Sequence, residues 1–333
     1  MLEKIVVGYA GDRAGRDAIA LAGRIAAAVH GGLTVVFPYR PLLARETSEQ
    51  VQERIQAEVG ELLDVIAGAG EIEATYHWSP SSWPIHALHE LAAYEHSDLI
   101  VLGAAREDIG DRLHVSLMER MVHGAPCAVA VAPAGYAEAI ATSPSETAPA
   151  GTALPGTAPA DGLPAVGASK GVRRIGVGFS SSTEGKAAVT LARTLAGRVG
   201  GSVKVIAGAG LEPALASYAF SSPALEEVEE EIYADTEQTL TRVCEELGAH
   251  DGGPIEHETI RGDPASVLVE STQELDLLVL GSRAYGPLRH VLLGSVSARA
   301  MREAHCPVLV VPRGVGGGDG HADEQTAGAA RLP

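Results

Sequence analysis

The sequence predicts an α/β chain of two tandem doubly wound domains, each built on a parallel five-stranded sheet. Three observations predict it. Short, wholly apolar strands alternate with amphipathic helical stretches, the pattern of a parallel sheet covered on both faces. That pattern runs through twice in the same order. The 333 residues also amount to about two domains of roughly 150 residues each.

The first repeat opens on Lys4-Ile5-Val6-Val7-Gly8-Tyr9, a strand that leads through a polar turn into an Ala/Leu-rich helix. Strands follow at Leu33 to Phe37, Ile72 to Trp78, Leu99 to Leu102 and Ala128 to Val131. Helices are predicted over Thr47 to Ala67, Ile85 to Glu95 and Ser116 to His123. The second repeat opens on Arg174-Ile175-Gly176-Val177-Gly178-Phe179. Its further strands are Val203 to Ile206, Ile255 to Ile260, Leu277 to Leu280 and Val308 to Val311. Its later helices are Pro223 to Leu247, Ala265 to Glu274 and Ser295 to Ala304. The repeats match most closely near their ends. Asp98-Leu99-Ile100-Val101-Leu102-Gly103 parallels Asp276-Leu277-Leu278-Val279-Leu280-Gly281, and Cys127 to Pro133 parallels Cys306 to Pro312. Each unit has enough elements for its own core, so this is a duplicated domain and not a solenoid.

These limits set expected boundaries of 1–133 and 172–313. Between them, 134–171 is rich in Ala, Pro, Gly, Ser and Thr and is expected to be a flexible linker, because it buries too little to offset its ordering entropy. The stretch 314–333 is expected to be a disordered tail.

With 43 acidic and 25 basic residues the formal charge is −18. Such a surface repels phosphate backbones and anionic lipid, which argues against nucleic-acid and membrane partners. A small anion can still bind where backbone dipoles outweigh the global field. Cys127, Cys244 and Cys306 form no CxxC pair and no disulfide or zinc framework. With no leader-like opening and no apolar run of about 18 residues, a cytoplasmic protein is expected.

The stretch that carries chemistry is Gly281 to Ser297. It begins at the end of a parallel strand and closes on a helix start at Gly294-Ser295-Val296-Ser297. Ligands of open parallel sheets bind outside the carboxyl ends of strands. Free helix N–H groups there, with the Ser295 and Ser297 hydroxyls, suit phosphate oxygens, and Gly294 leaves the backbone open.

On Gly281, Gly294 and Ser295 the chain resembles the universal stress proteins, whose loop reads Gly, two residues, Gly, nine residues, Gly, then Ser or Thr. The resemblance also covers element order and strand endings in both repeats. It implies an adenine-nucleotide α-hydrolase-like, Rossmann-like fold. It further implies ATP in repeat two, accompanied by Mg²⁺, with phosphates and ribose on Leu280, Gly281, Arg283, Ala284, Gly294, Ser295, Val296 and Ser297. Adenine would lie at the ends of the first two strands, beside Gly178, Ser180 and Gly208. Two departures stand out. Ser180 replaces the carboxylate that ATP-binding members carry after the first strand, and Ala284 replaces the second glycine. Repeat one departs further. Ala10 stands at the Ser180 position and Arg106 at the Ala284 position. Val115-Ser116 matches Gly294-Ser295, and Glu107, Asp108 and Asp111 add negative charge. No conventional ATP site is expected there.

Three functions stay open: a stress-response module binding an adenine nucleotide through repeat two, a nucleotide-independent scaffold for a protein partner, or an adenine-nucleotide hydrolase. The last lacks a Ser-Gly-Gly-x-Asp-Ser loop and a base beside a nucleophile, so no catalytic residue is expected. The apolar last strands are expected to pair within the chain as a pseudo-dimer, or between chains as a homodimer. Other features have plain readings. His86, His89 and His96 make a polar helix face, not a metal site. Glu226 to Glu231 is a solvated helix face. Asp263-Pro264 is a helix cap. Cys127 and Cys306 are buried small hydrophobes.

Overall fold

The computed structural model describes residues 2–38, 47–67, 72–79, 84–104, 122, 124–142, 171–210, 223–251, 254–282 and 294–312. The first half contains β1 (Lys4–Gly8), α1 (Arg13–Val29), β2 (Gly32–Pro38), α2 (Ser48–Ala67), β3 (Ala74–Ser79), α3 (Pro84–Tyr94), β4 (Leu99–Gly103), β5 (Ala128–Ala132) and α4 (Tyr136–Thr142). The second contains β6 (Arg174–Gly178), α5 (Thr183–Val199), β7 (Ser202–Ala209), α6 (Pro223–Asp251), β8 (Glu256–Arg261), α7 (Pro264–Ser271), β9 (Leu277–Gly281), α8 (Ser295–Glu303) and β10 (Val308–Val311). The helix expected over Ser116 to His123 lies outside the described residues except for Val122.

The strands form one sheet in the order β3-β2-β1-β4-β5-β10-β9-β6-β7-β8. Within each half all pairs are parallel, and the order is that of a doubly wound sheet. The two five-stranded sheets expected from the sequence are therefore fused. The join is β10 against β5, antiparallel, with Val308 opposite Val131, Leu309 opposite Ala130 and Val310 opposite Val129. Each strand that would have been an apolar edge covers the other, which removes two unpaired rows of N–H and C=O groups.

Alternation along the strands sorts the core into two layers. Ile5, Val7, Leu33, Val35, Leu277, Val279 and Leu309 face α1, α2, α4, α5 and α6. Val6, Val36, Ile100, Leu278, Leu280, Val308 and Val310 face α3, α7 and α8. The alanines of β5 (Ala128, Ala130, Ala132) face the first layer.

Both halves start with the same device. Asp98 accepts from the Glu3 and Lys4 amides at 2.8 and 3.1 Å. Asp276 does the same for Arg173 and Arg174 at 3.0 and 2.8 Å. The repeated Asp before the fourth strand is thus a cap on the first strand of its own half. Helix starts are capped alike: Asp12 accepts from the Gly15 amide at 2.7 Å, and Ser182 from the Gly185 amide at 3.1 Å.

One expectation needs correction. The expected linker begins as a helix, α4, held on α1. Asp17, buried to 2% exposure, accepts from the Gly135 and Ala137 amides at 2.8 Å each. Arg24 donates to the Tyr136 hydroxyl at 2.9 Å within the core. Composition hid this because the partners lie over a hundred positions earlier, in α1. Burial raises the Asp17 carboxyl, and the two backbone donors oppose the rise. Across the join, Arg198 of α5 donates to the Val29 carbonyl at 3.2 Å and pairs with Glu3 at 3.1 Å.

The halves also exchange volume at matched positions. A Cβ on Gly176 would overlap Leu275. The corresponding residues of the first half are Val6 and Ser97, so large and small have changed places. Overpacking of this kind costs about 1–3 kcal/mol. Gly176→Val should therefore destabilise the protein in denaturant unfolding. Adding Leu275→Ser should leave the double variant more stable than Gly176→Val alone, a non-additivity expected of residues in contact.

Candidate functional site

The carboxyl ends of β6 and β9 and the amino end of α8 form the rim on which the sequence places its site. Helix α8 is unusual among the helices whose caps are described. Its N-cap, Gly294, lies at φ −73° and ψ 161° and makes no side-chain hydrogen bond. That conformation is open to any residue, so what Gly294 contributes is the missing side chain rather than a special φ. The N-cap residue thus leaves the first-turn amides of α8 without a cap from its own side chain, a seat suited to an anion. Ser295 is exposed, Val296 packs on the second core layer, and Ser297 is buried.

Gly281 has a different task. A Cβ there would stand 2.7–2.8 Å from the Glu184 carbonyl group and the Gly185 amide. Gly103, its counterpart, is closed the same way by the Ala14 backbone. The first glycine of the loop thus lets the helix after the first strand close over the sheet. Gly178 and Gly208 are similarly filled by protein: a Cβ on Gly178 would meet Leu280 and Leu268, and one on Gly208 would meet Pro264. Leu280 is itself a core residue. Ser180 bonds through its hydroxyl to the Ser182 hydroxyl at 3.0 Å. Arg283 and Ala284 lie outside the described residues. So do Arg106, Glu107, Asp108, Asp111, Val115 and Ser116.

Two features of this rim were not read from the sequence. Ser282, directly after Gly281, is 1% exposed, and its Oγ has no hydrogen-bond partner. The signal was available: Ala104 occupies that position in the first half. The second feature is a tie between α7 and α8. Arg299 donates to Asp263 at 2.9 Å and to the Ser266 hydroxyl at 3.0 Å. Asp263 also caps α7, accepting from the Ser266 amide at 3.0 Å, with Pro264 in the first turn. The cap reading of Asp263-Pro264 therefore holds, and Asp263 has a second use in tying α8 to α7 through Arg299. At the corresponding place the first half has Trp83 before Pro84.

The family model of the "Universal stress protein family" matches residues 1–133 and 171–312. The chain belongs to the universal stress protein family. Among curated relatives, a universal stress protein of Methanocaldococcus jannaschii is 35% identical over 85 residues, 25% of this chain and 50% of that protein. One of Mycolicibacterium smegmatis is 32% identical over 114 residues, 34% of this chain and 36% of that protein. The matched stretches thus span half or less of these two relatives. A solved universal stress protein from Archaeoglobus fulgidus shares the fold with a TM-score of 0.56 at 15% identity, covering 94% of this chain and all of that one.

Other candidates behave as plain structure. His86 pairs with Glu90 at 3.1 Å one helical turn away. No group of three His, Cys, Asp or Glu residues is placed for a metal ion among the described residues. None of their helices is long and apolar enough to cross a membrane. All three cysteines are buried and unpaired. Burial pushes the Cys127 thiol up to about 12 and Cys244 up to about 11, and raises Cys306 as well.

Two outcomes follow. Replacing Asp263 with Ala should cost about 1 kcal/mol through the lost cap and should increase hydrogen exchange at the start of both α7 and α8. The thiols should stay silent to iodoacetamide at pH 8 in the folded protein. Their folded values lie above the ordinary thiol value of 9.0. The stability they contribute is therefore complete below pH 9 and is lost as pH rises toward 11–12, which alkaline denaturation would record.

Proposed function

We propose that this protein is a stress-response module that binds an adenine nucleotide, ATP in the first place, in its second half, and that its first half does not. In this reading the halves are residues 1–133 and 172–313, joined through 134–171 and followed by the tail 314–333. The observation that carries it is the start of α8, where a glycine N-cap supplies no side-chain cap to the first amides. An anion placed there gains from the helix dipole and from first-turn N–H donors that the N-cap residue does not cap.

The donor set fits a phosphate better than a bare cation. Ser295 and Ser297 supply hydroxyls, and the amides supply the rest. The carboxylate at the α7 cap, Asp263, is engaged by Arg299, and Ser180 offers no charge. Mg²⁺ would accordingly be held mainly by the nucleotide's own phosphate oxygens. The ends of β6 and β7 carry the base side of the site in this reading, with Phe179, Ser180 and Ala209 at the rim and Gly178 and Gly208 beneath. No residue is assigned a catalytic role, and binding, not turnover, is the activity proposed.

One observation favours a second reading, a nucleotide-independent scaffold. The Ser180 hydroxyl, which stands where the family's carboxylate would, is already turned to Ser182.

A thermal titration separates the two. At about 100 times its Kd, ATP should stabilise the protein by about 2.7 kcal/mol, seen as a rise in Tm. Gly294→Val should remove that rise while leaving the ligand-free Tm close to that of the parent. The scaffold reading requires no rise with ATP, ADP or AMP.

A further inference from the structure

Among the described residues three buried side-chain oxygens lack any hydrogen-bond partner: Ser97 Oγ, Thr259 Oγ1 and Ser282 Oγ. A buried polar group left unpaired costs free energy, so each needs a reason. Ser97 precedes β4, at the amino ends of the first half's strands. Thr259 lies beneath α6, whose Tyr233 donates to the Thr259 carbonyl at 3.4 Å. Ser282 alone of the three directly follows the carboxyl end of a strand, β9.

Its direction follows from the ladder. The Leu278 amide donates to the Pro307 carbonyl at 2.9 Å, and the Ser282 amide donates to the Val311 carbonyl at 3.0 Å. Ser282 therefore continues the pairing of β9 with β10 by one more step. Residues 278, 280 and 282 point to one face, and Leu278 and Leu280 lie in the core layer that also holds Val296, Ala300 and Met301 of α8. The orphaned hydroxyl and the glycine-capped helix start are thus on the same face, at the same rim. In the first half the ladder continues identically, with the Ala104 amide donating to the Ala132 carbonyl at 2.8 Å. The hydroxyl is missing there.

We propose that the Ser282 hydroxyl donates a hydrogen bond to a phosphate oxygen of a ligand seated at the start of α8, and that this residue distinguishes the binding half from the non-binding one. The inference rests on the nucleotide reading above. It gives the unpaired oxygen a use: it is unsatisfied in the free protein and satisfied in the complex.

The test uses the full chain and two readouts, ligand-free stability and affinity for ATP and for inorganic pyrophosphate. Ser282→Ala should unfold at higher denaturant without ligand, because the unpaired group is gone. The same change should weaken both ligands by about tenfold, the loss expected for one hydrogen bond to a charged group. Ser282→Thr, which keeps the hydroxyl, should restore most of the affinity. A role in packing alone would move stability without this opposite change in affinity. Unchanged affinity in Ser282→Ala would overturn the proposal and leave nucleotide binding standing. A loss for ATP with none for pyrophosphate would overturn the phosphate assignment. Failure of the parent protein to bind either ligand would sink the nucleotide reading and this proposal with it.

Discussion

Val308, Leu309 and Val310 lie against Val131, Ala130 and Val129, and this short antiparallel ladder decides where the rest of the molecule can stand. Each half alone would end in a strand whose side chains are apolar on both faces and whose backbone groups are unpaired on one side. Joining them satisfies both edges at once. It also sets direction. Strands that are parallel within a half run opposite to those of the other half, so the two carboxyl rims open to opposite sides of the sheet. A ligand at one rim is therefore remote from the other, and each rim can change independently of its twin.

The two halves have used that independence differently. At the first half's rim the chain leaves β5, turns through Gly135 and forms α4, with Asp17 capping the turn and Arg24 holding Tyr136 in the core. At the second half's rim the equivalents of Asp17 and Arg24 are Ala187 and Thr194, which cannot do the same. There the polar groups are instead Ser282, the glycine-capped start of α8, and the Arg299–Asp263 tie that joins α8 to α7. One architecture thus carries two differently built rims.

Much of this was legible in the sequence. Fully apolar strands of four or five residues such as Leu277 to Gly281 announce a buried parallel sheet, and the duplicated Asp and Cys segments announce the repeat and its final strands. Pairing of those strands within the chain was readable because both are apolar throughout. The docking of α4 was not readable, since its cap and anchor come from α1 and the stretch 134–171, rich in Ala, Pro, Gly, Ser and Thr, looks unstructured without them. Glycine roles were only half readable. Gly281 reads as a phosphate-loop residue, yet its missing side chain makes room for the Glu184-Gly185 backbone. Ser282 went unnoticed for a physical reason as well: a serine beside a glycine is unremarkable until its hydroxyl is found buried with nothing to bond.

The central claim is that one rim binds a nucleotide and the other does not. Isothermal titration of ATP with Mg²⁺ into the full chain measures this most directly through its stoichiometry. The account requires one site per chain. A stoichiometry of two, or no heat of binding across the micromolar to millimolar range, would contradict it.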